Sequence, residues 1–121
     1  MSLKGNLEMK ISNALIHFEK EEIGRGAEEA MAHIFKDMII VRLKKVLTPA
    51  EKRLAQSPEG RKTIKEFRYM LEDVLRGKLE AIIEEIVNVK VVSIHCDIST
   101  KTGEYLMVFV MEKDVESLFK E

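Results

Sequence analysis

Cysteine is almost missing from this chain: Cys96 is the only one in 121 residues, so no intrachain disulfide can form. That suits a reducing compartment, and a cytoplasmic location is the expectation. Net charge is nearly missing as well. Lys and Arg total 20 against 21 for Asp and Glu, and the balance of -1 supplies no field to gather a phosphate backbone or anionic lipid. No nucleic-acid partner is expected. The longest apolar run, Tyr105 to Met111, has seven residues, far below the ~20 needed to cross a bilayer as a helix, so no transmembrane segment is expected either. After Lys4 and Lys10 no apolar block precedes a small-residue cleavage site, which argues against a secretory signal. Met1 to Leu3 could in part be a leader left by cloning.

What is present is ordinary folding material. Charged residues make up 34% and apolar residues 45% of the chain, enough hydrophobicity to escape disorder. A chain of this length has room for one core, so residues 1–121 read as a single domain. Leu7, Ile11, Ala14, Leu15 and Phe18 mark one face of an amphipathic helix, which should stop near Gly24 in a left-handed cap. Ala27 to Lys36 is ambiguous. Ala-Glu-Glu-Ala-Met-Ala favours a helix, whereas its place before Met38 to Leu47 suits a hairpin strand turning at Lys36-Asp37, and the later half is read as strand. In the next strand Ile39, Val41 and Leu43 share one face, while Ile40, Arg42 and Lys44 share the other.

Both prolines sit at helix starts. Thr48-Pro49-Ala50-Glu51 is a capping box, and Ser57-Pro58-Glu59 repeats the signal. The second helix is long, with a stripe of Ile64, Phe67, Leu71, Leu75, Leu79, Ile82 and Ile86 widened by Met70, Val74, Ile83 and Val87. About 29 residues at ~1.5 Å each make a rod of ~43 Å, against a radius of gyration of ~14 Å for a globule of this size. Either it bends near Gly77 or a partner covers part of it. A second hairpin follows, with Ser99 to Glu104 as its turn. A three-residue loop with Gly103 in the left-handed region would place Ile94, Cys96 and Ile98 with Leu106, Val108 and Val110, and Ser93, His95 and Asp97 with Tyr105, Met107, Phe109 and Met111. A four-residue loop would reverse that partnership. Both faces are apolar under either register, so the sheet should be covered at least partly on both sides. The fold class is α+β, a helix plus β-hairpin occurring twice (α-ββ-α-α-ββ), with a long helix packed on an antiparallel sheet.

No catalytic constellation emerges. His95-Cys96-Asp97 holds the residue types of a nucleophile, base and orienter, but neighbours on a strand point to opposite faces, so Cys96 reads as a buried structural thiol. His95 and Asp97 share a face, yet nothing completes a metal-ligand spacing, and neither a metal nor a cofactor is expected. The candidate ligand-binding residues are Gly24, Arg25, Gly26, Arg42, His95 and Asp97. A Gly-x-Gly turn after a helix could cradle an anion, although a helix stop and a bend explain it more simply, and an ion-paired Arg42 is the simpler reading of that cation. Candidate interface residues are Phe67, Leu71, Tyr105, Met107 and Phe109.

Several segments in order resemble a known family: Asp37-Met38-Ile39-Ile40-Val41-Arg42-Leu43, Leu47-Thr48-Pro49-Ala50-Glu51-Lys52, Glu59-Gly60-Arg61, Val89-Lys90-Val91-Val92-Ser93 and Asp97 to Glu104. Together they resemble the bacterial MpsC-like family of unknown function, labelled after a sodium-translocating system that generates membrane potential. The chain departs from the family pattern at Gly24-Arg25-Gly26-Ala27, which stands in place of a Gly-Lys-Gly-Pro-like segment. The resemblance implies a small cytoplasmic α+β protein accessory to cation or membrane-potential physiology, and it supplies no catalytic residues. The residues favour a non-enzymatic accessory or regulatory module that forms a homodimer or higher homo-oligomer and docks on a partner, with a membrane protein as one candidate. The alternative is a small-ligand or anion-binding sensor.

Overall fold

In the structure, a computed structural model that describes residues 2–120, the Ser2 hydroxyl accepts the Gly5 N–H and opens helix α1, Leu3–Ile23. Met1, part of the expected leader, lies outside the described residues. The helix buries Leu7, Ile11, Leu15 and Glu19, one residue per turn on a single line, and ends at Gly24 with φ 99 and its N–H on the Lys20 carbonyl. Strands β1 (Glu29–Phe35) and β2 (Met38–Lys44) pair around Lys36-Asp37, with Phe35 opposite Met38 and Lys36 at φ 54. The helix propensity of Ala27 to Ala32 therefore loses to strand pairing, which buries Ala32 and Ile34 on alternate positions.

Thr48 and Glu51 form the reciprocal capping box that starts α2, Pro49–Leu54, and Ser57 caps α3, Pro58–Val87. The junction between these helices is tight. A Cβ on Gly60 would lie 1.7 Å from the Leu54 carbonyl oxygen, so only glycine fits where α3 turns against the end of α2. At 30 residues α3 is ~45 Å long and continues through Gly77 as one helix. Strands β3 (Val91–Ile98) and β4 (Tyr105–Met111) follow, and a short helix α4, Val115–Leu118, ends the described chain.

All strand pairs are antiparallel, in the order β1-β2-β4-β3. The β3–β4 register corrects the three-residue-loop reading. Ser99 faces Glu104 across a four-residue loop, with the Gly103 N–H on the Ser99 carbonyl, so Ile98 pairs with Tyr105, Cys96 with Met107 and Ile94 with Phe109. Gly103 does take the left-handed conformation, at φ 74, but one additional loop residue moves all of β4 to the opposite partnership. Of the candidate interface residues, Tyr105, Met107 and Phe109 accordingly lie in the core, whereas Phe67 is exposed and Leu71 half-buried.

The core joins Leu7, Ile11 and Leu15 of α1 and Ile64, Leu79 and Ile83 of α3 to one face of the sheet. That face presents Ile34, Ile39, Val41, Ile94, Met107 and Phe109, among others, and no residue of opposite parity enters the cluster. Both long helices thus cover the same face. The expected cover on the second face is absent among the described residues: its side chains range from half-buried to exposed.

Two substitutions test this framework in urea denaturation. Gly60→Ala forces α2 and α3 apart and should cost well over the ~0.5 kcal/mol of an ordinary surface change. Gly103→Val should cost about 1–3 kcal/mol, because a β-branched residue is strained at this φ. An unchanged midpoint in either variant would contradict the corresponding junction or turn.

Candidate functional site

Arg68 is the most unusual side chain in the molecule: it lies on α3 one turn after Ile64 and is only 3% exposed. Burying a guanidinium is costly unless every donor is matched. Here Nε donates to Glu51 Oε2 at 2.8 Å and Nη2 to Glu51 Oε1 at 2.8 Å, a two-pronged contact. Nη1 reaches both carboxylate oxygens of Glu19, at 3.2 and 3.4 Å, and Nη2 also donates to the Val46 carbonyl. The guanidinium carbon stands 5.8 Å from the centre of the Tyr105 ring. Among the described residues no buried side-chain polar atom lacks a partner.

Each element contributes for a local reason. Glu19 is the fourth residue of the line Leu7, Ile11, Leu15, so α1 delivers a carboxylate into the core at its C-terminal end. Glu51 already closes the Thr48 capping box, which aims its side chain back toward the start of α2. Arg68 therefore ties α1, α2 and the segment after β2 to the middle of α3. One cation faces two carboxylates, and their environments separate them. Burial pushes the Glu19 carboxyl up, against the pull of Arg68. Burial would also raise Glu51, but the Arg68 bonds and the Thr48 amide outweigh it and hold this carboxyl below its usual range. Burial thus disfavours the charged form of Glu19 more than that of Glu51.

Beside the cluster, a cleft of about 170 Å³ opens between α3 and β3, lined by Lys65, Tyr69, Glu72, Cys96, Asp97 and Tyr105. Burial pushes both the Cys96 thiol and the Tyr105 phenol far up, and Glu72 is raised by the same cause. Cys96, Glu72 and Tyr105 line this cleft together. Burial keeps the proton on the Cys96 thiol, so it is no thiolate nucleophile. Among the described residues no group of three or more His, Cys, Asp or Glu side chains could hold a metal ion.

The ligand candidates named from sequence are dispersed. Gly24 to Gly26 joins α1 to the edge strand β1, and Arg25 is held by the Lys45 carbonyl at 3.3 Å and by Glu28. Arg42 is ion-paired with Glu104 at 2.7 Å. His95 contacts Ser93, and Asp97 pairs with Lys65 at 3.2 Å while accepting the Ile98 N–H. Arg42, His95 and Asp97 share the outer face, but β4 separates Arg42 from the other two by two strand spacings, ~10 Å. Sequence reasoning missed Arg68, Glu19, Glu51 as an ion partner, and Glu72. The signal was there for two of them: each occupies the four-residue spacing of its helix's apolar line.

The fold and its buried ion cluster define a two-layer α+β domain with no helix long and apolar enough to cross a membrane among the described residues. The chain belongs to the family described as "Na+-translocating membrane potential-generating system (MpsC)", which matches residues 3–113. It is 43% identical over 114 residues to the uncharacterized protein YbcI of Bacillus subtilis, covering 93% of this chain and 91% of that one. It is 26% identical over 98 residues to the uncharacterized protein YrhF of the same organism, covering 80% of each. No solved structure matches it.

Three results are expected here. Arg68→Met leaves two buried carboxylates without their cation and should cost about 3–5 kcal/mol in urea unfolding. A loss below ~1 kcal/mol would remove the cluster from its structural role. The pH dependence separates the two acids. Glu19, raised on folding, adds stability that is complete below its unfolded pKa and is lost as pH rises through the folded value; Glu51, lowered, adds stability above its unfolded pKa that is lost as pH falls through the folded one. Glu19→Gln should therefore match or exceed wild type at neutral pH, while Glu51→Gln should fall below it; the reverse order would contradict the assignment. Cys96 should react slowly with a thiol reagent in the native state and rapidly in urea.

Proposed function

We propose that the protein is a non-enzymatic cytoplasmic accessory module that self-associates and docks on a partner serving cation or membrane-potential physiology. The observation that carries this reading is the uncovered outer stripe of α3. Phe67, Met70 and Val74 recur at helical spacing and are 50%, 66% and 78% exposed. Large apolar side chains grouped on an exposed face mark contact surfaces. The family's printed description supports the physiological setting. With no helix able to cross a membrane among the described residues, the ion pathway itself belongs to a membrane partner in this reading.

The cleft beside Cys96 favours a second reading, a small-ligand sensor. Its volume would hold only a few waters or a small solute. A thermal-shift screen of small anions and cations distinguishes the two, since selective native-state binding must raise the apparent melting temperature.

The docking reading is tested in cells. Val74→Glu, at an exposed position, should change unfolding by less than ~0.5 kcal/mol. In a bacterial strain lacking the gene, a potential-sensitive dye should report altered membrane potential that wild type restores and Val74→Glu does not. Full restoration by Val74→Glu, or no change on deletion, would refute this function for the stripe.

A further inference from the structure

The face of the sheet turned away from the helices is apolar at its centre. Strand registers align Phe35, Met38, Val110 and Ser93 in one row and His33, Ile40, Val108 and His95 in the next. A third row holds Met31, Arg42, Leu106 and Asp97. An antiparallel sheet with one solvated face normally places polar residues there. Here the outward positions of both central strands are mostly aliphatic, and the charges gather at one end: Arg42 with Glu104 at 2.7 Å, and Lys44 with Glu29 at 3.8 Å.

We propose that this face is the contact between two copies of the chain, which pack sheet on sheet about a two-fold axis to form a four-layer α-β-β-α dimer. The proposal rests on the self-association reading above and assigns it to a surface. Three observations shape this assignment: the first bears on the occupant, the second on the surface and the third on the strength of the contact.

The first is charge. The charged end carries both signs in near balance, which suits neither anionic lipid nor nucleic acid. Sheets packed face to face keep their strand directions within about 30°. With the two-fold axis running along the strands between β2 and β4, each β2 lies over the partner's β4. Apolar rows then meet apolar rows, and Arg42 of each copy lies over the partner's Leu106, with the partner's Glu104 one row further along. The two internal ion pairs then lie side by side across the interface.

The second is the state of the sheet edges. The Ile34 N–H of β1 is taken by Glu8 at 2.8 Å, the Ile98 N–H of β3 by the Asp97 carboxylate at 2.9 Å, and β3 carries a bulge between Val91 and Ser93. Such edges are protected against adding another strand. Of the sheet's own surfaces, the outer face is then the one open to association.

The third is size. Four strands of about seven residues make a projected face of roughly 19 by 23 Å, about 440 Å². A stable interface typically buries ~800 Å² of accessible surface per partner. The dimer is therefore one that forms and dissociates with concentration.

Sedimentation velocity from low to high micromolar concentration tests this. Wild type should pass from monomer to dimer. Arg42→Glu alone and Glu104→Arg alone should each weaken dimerisation at least ~tenfold through like charges across the interface, and an equimolar mixture should recover it, because every cross-interface pair is then opposite in sign. Ile40→Lys should abolish the dimer, with Ile40→Ala used if the lysine variant fails to fold. Val74→Glu should leave it intact. A wild type that stays monomeric would overturn both self-association and this assignment. A dimer lost in Val74→Glu but kept in the Arg42 and Ile40 variants would overturn the assignment alone, as would a mixture that fails to recover.

Discussion

One buried guanidinium sets the arrangement of this molecule. Arg68 holds Glu19, Glu51 and the Val46 carbonyl at once, so α1, α2 and the chain leaving β2 all meet the same point on α3. A charge so enclosed cannot move without breaking several bonds in a medium that offers no replacement. The rotation of α3 about its own axis follows. With Arg68 turned inward between Ile64 and Leu79, the adjacent Phe67 and the later Met70 and Val74 must face away from the core.

The same constraint concentrates both long helices on one side of the sheet. Ile39, Val41 and Phe109 receive all the packing, while their sequence neighbours Ile40, Val108 and Val110 receive none from the helices. A 30-residue helix also runs well beyond a sheet whose strands span about seven residues, ~23 Å. Two apolar surfaces are consequently left open, the outer stripe of α3 and the outer face of the sheet. A module with two separate contact surfaces can pair with itself on one and engage a different protein on the other. This division of labour links the buried ion cluster to the proposed accessory function.

Much of the scaffold was legible because its signals are local. The Thr48 capping box, Ser57 ahead of Pro58, the Gly24 stop and the Lys36-Asp37 turn each involve only a few consecutive residues, and the structure contains all of them. The β3–β4 register was not legible, since three- and four-residue loops both accommodate Gly103 at positive φ while reversing the face of every β4 side chain. The α3 stripe was misplaced by a fraction of a turn for a different reason. Arg68 interrupts an apolar line, and a charged residue is ordinarily read as solvent-facing; only its partners on other elements make it an interior residue. The candidate site shared that difficulty. Strand alternation turns Cys96 toward the core, where it is half-buried, but Glu72 and Tyr105 join it in the cleft from α3 and β4, a neighbourhood that no spacing within one strand reveals.

The central claim is that the helices cover one face of the sheet and leave the other to a second copy of the chain. Methyl NMR with a soluble paramagnetic agent examines it residue by residue. The Ile39 and Val41 methyls should stay protected at every protein concentration. Those of Ile40 and Val108 should broaden strongly in dilute samples and recover protection as concentration rises. Protection of Ile40 in the dilute monomer, or persistent broadening at high concentration, would contradict the account.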